Sequence, residues 1–356
     1  MTRVEPATGV RARSSDEDTL PAIPAARLLA MMDVAYGLQQ FGLWPKTANA
    51  DAVAAAFEGA VEILAEVAAN RIRRGLFRRH VEKPEDLHFI PDEPARSGWF
   101  AVLSRQDPYL RCRYDGSIAD FEDNEILLWS LYAASRTALR SPALADNAQQ
   151  ESRMLAGSMP LVEANANAGV TRFYRRLGTH RQPLHGLCRL VLEHAGLRFA
   201  GDDGGLPLTV DEPALFRAYV SGLLAGLSPN DRVKQRYSVD YSPGAGRMVR
   251  LDVHCFSDIK DRKSGRTAMI VGATADPPTS ADFRRVADHA TAAPPQDGAK
   301  GPVAVLVHPS MPSAMAGPTV AQIGGVTVHT VGFDLSRDLS EARRDLFKQI
   351  IPRSPA

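Results

Sequence analysis

Apolar residues recur at helical spacing from Ala26 to Phe41, where Leu28, Leu29, Met32, Ala35 and Tyr36 fall on one stripe. A turn at Trp44-Pro45 follows. Val53, Phe57, Val61, Leu64 and Val67 or Ala68 then mark a second helix from Asp51 to Arg74, with Asp51 as its candidate N-cap. Residues 75–115 read differently. Phe77, Val81, Leu87, Phe89 and Ile90 sit among turn-forming residues, and 99–104 and 109–115 alternate as strands do. Helical spacing returns at 121–140, where Asp120 can cap and Ile126, Leu127, Leu131 and Leu139 face inward. Further helices are predicted at about 146–158, 169–178 and 183–196.

The turn-rich stretch AGDDGGL at 200–206 breaks the pattern and predicts a domain boundary. Beyond it the spacing predicts a helix at 212–227, strands at about 231–240, 247–256 and 266–274, and a helix at 280–292. Strands at 303–308 and 326–333 and a helix near 338–350 complete the chain. Helix, three strands, helix, strand is the order of an α/β core with a mixed sheet. Residues 1–22 carry Pro, Ser, Thr and charge without an apolar period, and are expected to be a disordered tail. The fold class is thus α+β or α/β: a mainly helical domain over 23–200 with a small β insertion at 75–115, then an α/β domain over 206–350.

Composition narrows the function. A chain of 356 residues has room for two ordinary domains. No apolar run approaches the roughly 18 residues of a membrane span, and the N-terminus lacks a secretory pattern. Cys112, Cys188 and Cys255 lie far apart, as buried apolar residues of a reducing cytoplasm rather than zinc ligands. The formal net charge of +1 excludes a polycation, so any nucleic-acid surface must be local. Arg71, Arg73, Arg74, Arg78 and Arg79 are followed by Glu82, Glu85, Asp86, Asp92 and Glu93, which can neutralise them. Arg172, Arg175, Arg176, Arg181 and Arg189 occupy an acid-free stretch. They fit either contact with DNA phosphates or a solvated helix face that meets an acidic partner. The chain contains no GxxxxGK phosphate loop and no nucleophile elbow, so it is neither a P-loop NTPase nor a serine hydrolase of that kind.

Three collinear segments resemble the McrC family, the nuclease subunit of 5-methylcytosine-specific McrBC restriction systems. The first is NRIRRGLFRRHVEKPEDLHFI (70–90), similar to the family's Arg-Gly-Leu stretch and the Glu-x-Leu segment after it. The second is LRCRYDGSIADFEDNEILLWSL (110–131), with Tyr114, Asp115, Asp120 and Asn124 at the family's positions. The third runs over 206–310. It has Leu215-Phe216-Arg217 where the family has Leu-Phe-Glu, then VKQRYS (233–238), Asp252, IVGATA (270–275), Asp282, Ala287, His289 and VLVHP (305–309). The resemblance covers about residues 26–350. It implies a restriction-endonuclease-like PD-(D/E)xK core, double-stranded DNA as target, a McrB-like AAA+ GTPase as partner, and no membrane. The β-rich N-terminal region with which the family engages its motor is expected to be absent or much reduced.

The family's chemistry needs two carboxylates on adjacent strands to hold Mg²⁺, and a lysine two residues after the second. Asp252 matches the first carboxylate and is the candidate remnant metal ligand; an ordinary strand-end Asp has the same appearance. The family's Asp-Ala-Lys falls on Gly272-Ala273-Thr274, and its helical Glu on Arg217. Asp258 and Lys260 form an alternative Asp-x-Lys pair, expected where the strand becomes a turn. The expected function is therefore a McrC-like subunit with an inactive nuclease core, acting in DNA binding or complex assembly without a cofactor. One alternative is an active Mg²⁺ endonuclease with a migrated site at Asp252, Asp258 and Lys260. The other is a protein–protein adaptor that does not touch DNA.

Overall fold

A computed structural model describes residues 23–43, 50–76, 78–87, 110–119, 121–158, 166–177, 183–195, 197–198, 206–207, 210–226, 233–243, 248–260, 267–274, 277–292, 303–310 and 320–350. The tail at 1–22, the strand expected at 99–104 and all but the last residue of the boundary at 200–206 lie outside them.

The chain begins with α1 (Ala25–Tyr36), whose stripe Leu28, Leu29, Met32 and Tyr36 is buried as its spacing requires. It stops at Gly37, where φ is 75° and the N–H returns to the Asp33 carbonyl. A single 3-10 turn (Leu38–Phe41) replaces the rest of the helix expected to Phe41. Next come α2 (Ala50–Arg74) and an antiparallel ribbon, β1 (Arg78–Leu87) and β2 (Leu110–Ala119), in register from Arg78↔Ala119 to Leu87↔Leu110. β1 was not legible as a strand. RRHVEKPEDL has neither alternation nor β-branched enrichment, and pairing with β2 selects its conformation.

Helix α3 (Phe121–Ser135) is shorter than its pattern suggested, because Thr137–Ala138 (β3) pairs in parallel with Leu206–Pro207 (β5). Between them in the chain lie α4 (Pro142–Ser158), α5 (Ala166–Leu177), α6 (Pro183–Ala195) and β4 (Leu197–Arg198).

The second half opens with α7 (Glu212–Ala225), capped by Asp211, which accepts a hydrogen bond from the Ala214 N–H at 2.9 Å. It continues through β6 (Val233–Pro243), β7 (Met248–Lys260), β8 (Thr267–Ala273), α8 (Ser280–Thr291), β9 (Val303–Ser310), β10 (Val320–Ile323), β11 (Val326–Asp334) and α9 (Leu339–Ile350). Seven strands form one mixed sheet in the order β10-β11-β9-β8-β7-β4, with β6 also on β7. β8, β9 and β11 run parallel, and α8 is the crossover between β8 and β9. The β10–β11 hairpin turns through Gly324 and Gly325, both at positive φ, as a two-residue turn demands. The expected mixed α/β core is thus present among the described residues. No described helix is long and apolar enough to cross a membrane.

The sheet is buried on both faces. Val305 and Val307 join one apolar cluster with α7 and α9, while Ala304 and Leu306 join another beneath α8. The first cluster does not stop at the sheet: it runs on through Leu29, Val61, Ile126 and Leu190 of the helical half. Helix α1 is the bridge. A Cβ on Gly186 of α6 would lie 2.2 Å from the Tyr36 carbonyl oxygen, and one on Gly222 of α7 would lie 2.4 Å from that of Val34. Glycine at these two places lets α1 lie backbone-close between its neighbours.

A polar knot sits inside this junction. Arg189 of α6 donates to Glu193 at 2.8 Å, and the hydroxyls of Tyr36 and Tyr174 each donate to Glu193 at 2.7 Å. The guanidinium also lies 5.4 Å from the Tyr36 ring centre and 5.5 Å from that of Tyr237 on β6. Burial opposes a charge on Glu193, yet Arg189 and the two tyrosine hydroxyls outweigh it and hold the carboxyl below its ordinary range. Buried this way, the pair joins α1, α5, α6 and β6.

Candidate functional site

Side chains alternate along β7, so Asp252, His254, Phe256 and Asp258 share the face toward α8, while Val253 and Cys255 face α7. On β6 the matching residues are Arg236, Ser238 and Asp240; the register sets Asp240 directly opposite Asp252, and Ser238 opposite His254. β8 pairs with β7 no further toward Asp252 than Phe256↔Gly272. Arg217 reaches Asp252 from α7.

Arg217 donates from Nη2 to Asp252 Oδ1 at 2.5 Å and from Nε to the Val253 carbonyl at 3.1 Å. The Nε2 of His254 lies 3.2 Å from Asp252 Oδ2 and 3.5 Å from Asp240 Oδ2. This nitrogen is buried and lies at ion-pair distance from both carboxylates. Arg285 of α8 closes the group, 3.7 Å from Asp240 and 3.3 Å from Asp282. Partial burial would raise the Asp252 carboxyl, but the adjoining His254 imidazole and the Arg217 guanidinium overcome it and bring the carboxyl down to about 2. Asp252 is thus a firmly ionised carboxylate that already has a cation.

The second carboxylate that the resemblance implies would stand at Gly272. It has no ligand atom, and its space is closed as well. A Cβ there would lie 2.8 Å from Val286 of α8 and 3.3 Å from the Phe256 ring. Thr274, two residues on, is buried, and its N–H donates to the Val307 carbonyl at 2.9 Å. These residues do not fit Mg²⁺. The ion needs several oxygen ligands, and here one carboxylate is bound to arginine while the other position carries hydrogen and is packed over. Among the described residues no three acidic, histidine or cysteine side chains are arranged to hold a metal as they stand.

Asp258 and Lys260 lie within β7, not in the turn expected for them, because the β6 and β8 ladders hold the strand to Lys260. Six residues of extended chain put Asp258 about 20 Å from Asp252, so these two carboxylates do not converge on one ion. Asp258 instead pairs with Arg236 at 2.8 Å, and burial raises its carboxyl in spite of that partner. Nearby, His289 of α8 stacks on Phe256 with ring centres 3.8 Å apart; burial, then Arg236, lowers its imidazole to about 4.

Of the arginines assigned to DNA, those among the described residues do not share one surface. Arg189 belongs to the buried knot and cannot reach a phosphate; a basic residue in an acid-free stretch found its acid one helical turn later, at Glu193. Arg172 is half exposed and donates to both oxygens of Glu125, at 2.6 and 2.7 Å. Arg175 is exposed on α5. The Arg176 side chain and all of Arg181 lie outside the described residues. Nor do the cysteines change the reading: Cys188 and Cys255 are buried and form no disulfide, and burial pushes the Cys188 thiol up to about 12. The residues that sequence reasoning missed are Asp240, His254 and Arg285. For His254 a signal was available, since it lies two residues beyond Asp252 on a strand. Asp240 and Arg285 are brought in by register and by helix packing, which no local pattern encodes.

No protein-family model matches this chain, and no curated protein matches it. Among solved structures, a chain from a half-complex of the tetradecameric assembly of Thermococcus gammatolerans McrB AAA+ hexamers with bound McrC is 18% identical. That match covers 91% of this chain and 76% of the other, at a TM-score of 0.30. A chain of the Thermococcus gammatolerans McrBC complex is also 18% identical over 58% of this chain and 59% of the other, at a TM-score of 0.30. These are weak structural neighbours, and likeness at this level assigns neither a fold nor a family.

Proposed function

We propose that this chain is a McrC-like subunit of a McrBC-type defence system whose nuclease centre has given way to an internal ion pair, leaving a role in DNA binding or complex assembly. The observation that carries the reading is the Arg217 guanidinium seated on Asp252. The three collinear sequence segments supply the family. This reading takes the order α7, β6, β7, β8, α8, β9 as that of a restriction-endonuclease-like core, with Asp252 on β7 and Gly272 on β8 at its two acidic positions. With one carboxylate neutralised and the other missing, no ion can polarise a phosphodiester or activate water there. The partner under this reading is a McrB-like AAA+ GTPase, and the target double-stranded DNA.

The test of the inactive centre is direct. Purified protein incubated with plasmid and Mg²⁺ or Mn²⁺ is expected to leave the plasmid supercoiled; cleavage that Asp252→Ala abolishes would overturn the reading. A second reading, an adaptor that does not touch DNA, is favoured by one observation: Arg189 is buried and Arg172 already holds Glu125. Filter binding to duplex DNA at two salt concentrations separates the two. Affinity that falls steeply with salt and weakens in Arg175→Glu supports DNA binding, because phosphate contacts release counterions; no binding at low salt leaves the adaptor.

A further inference from the structure

We propose that His194 is a proton-operated latch between the two halves of the molecule: neutral, it ties the end of α6 to α1 and to the start of α7, and protonation releases that tie. The proposal stands on a chain of hydrogen bonds at the junction. It goes beyond the inactive-nuclease reading and does not depend on it.

His194 closes α6, and Asp211 caps α7 on the far side of the turn-rich stretch at 200–206. The Asp211 N–H donates to His194 Nδ1 at 3.2 Å, and the Tyr36 hydroxyl lies 3.2 Å from His194 Nε2. Only one arrangement of protons satisfies these contacts. A backbone N–H can only donate, so Nδ1 carries the lone pair. The Tyr36 hydroxyl has a single proton, and Glu193, ionised beside Arg189, accepts it at 2.7 Å. Nε2 must therefore be the protonated nitrogen, donating to the Tyr36 oxygen. Donation thus runs in one direction, from the Asp211 amide through His194 and Tyr36 to Glu193. It links the cap of α7 to Tyr36, the last residue of α1. With a backbone donor at one end and a carboxylate at the other, the relay fits the neutral imidazole alone.

A second proton on the ring has only Nδ1 to bind, and there it sets N–H against N–H. The Asp211 amide must then move away. Its residue starts α7: the Asp211 side chain accepts from the Ala214 N–H and its carbonyl from the Leu215 N–H, each at 2.9 Å. Displacing Asp211 therefore loosens the first turn of α7. The groups that bear on the imidazole are Tyr36 of α1, Arg189 and Glu193 of α6, and Asp211 ahead of α7. Among the described residues, the other elements packed on α6 bring no charge to bear on it. Burial holds the imidazole below its ordinary range; Asp211 and Glu193 pull the other way without overcoming it, and Arg189 adds to burial. The opened ring, at about 6.5, takes up the proton before the closed one does. The latch is thus fully closed above about 6.5 and weakens as pH falls below that.

The experiment follows hydrogen exchange in α1 and the first turn of α7, corrected for intrinsic rate, at about pH 7.5 and about pH 5.5, either side of the histidine range. Wild type is compared with His194→Gln, whose amide can donate to Tyr36 but does not titrate. Wild-type protection in both elements is expected to fall about tenfold at the lower pH, the effect of one proton taken up on opening. His194→Gln is expected to lose that fall. Equal wild-type protection at the two pH values would overturn the proposal, as would a fall just as large in His194→Gln. Nitrogen NMR of histidine-labelled wild type needs no variant and decides the matter if His194→Gln does not fold. His194 is expected as the Nε2–H tautomer at neutral pH, with its protonation tracking the loss of protection. An Nδ1–H tautomer, or protonation that leaves α1 and α7 protected, is equally fatal.

Discussion

Glu193 has 1% of its side chain exposed and accepts from Arg189, Tyr36 and Tyr174 together. Breaking one partner of such a pair costs more than never having built it, because the survivor keeps its charge without compensation. Glu193→Gln is therefore expected to destabilise the protein by about 3–5 kcal/mol, measured as a lower urea midpoint, whereas an unchanged midpoint would show that Arg189 finds another acceptor. His289 gives a pH prediction of defined sign. Its imidazole titrates at about 4 in the fold, against about 6.5 unfolded. The unfolded chain thus takes up the proton first. The stability tied to neutral His289 is complete above about 6.5 and is lost as pH falls toward 4. The wild-type profile is expected to be steeper across this window than that of His289→Gln, and parallel profiles would contradict the assignment. Asp252 acts with the same sign lower down: its carboxyl is lowered to about 2, so its contribution goes only in strong acid.

Helix α1 shows how much an element can depend on its neighbours' smallest residues. Its own sequence makes it amphipathic, but two glycines on other helices determine how close it lies. Gly222→Ala would place a methyl 2.4 Å from the Val34 carbonyl, where backbone rather than a flexible side chain must yield. The expected loss is about 1–3 kcal/mol, typical of overpacking, and it should appear as lower hydrogen-exchange protection in α1 and α7. Loss confined to α7 would show that α1 is not held by this contact. Gly272 is the same phenomenon in the sheet: α8 packs onto β8 through Val286 because no side chain stands there. An acid introduced at position 272 has therefore no room unless α8 moves.

Across the whole molecule, the boundary expected at 200–206 divides a helical from an α/β sequence pattern, yet one apolar cluster runs from Leu29 through Leu190 to Val305 and Phe333. The knot around Glu193 crosses the same junction. Cooperativity follows shared burial rather than chain order. Amides in α6 and in β8 are accordingly expected to open with the same free energy and the same urea dependence in native-state hydrogen exchange. Two separate opening energies would mean that the halves unfold independently.

By itself the sequence determined the helices, the mixed α/β order of the second half and the absence of an acid and an amine at Gly272 and Thr274. Apolar periodicity and side-chain chemistry are local and can be read in one dimension. Some of the ribbon was hidden: β1 carries no pattern of its own and exists because β2 pairs with it. Tertiary structure alone decided what became of the candidate residues. Strand register set Asp240 against Asp252, an arginine from α7 came to lie on Asp252, and Arg189 went inside to meet Glu193. A charged side chain's role depends on the dielectric and the counter-charge around it, and both are set by residues far away in the chain.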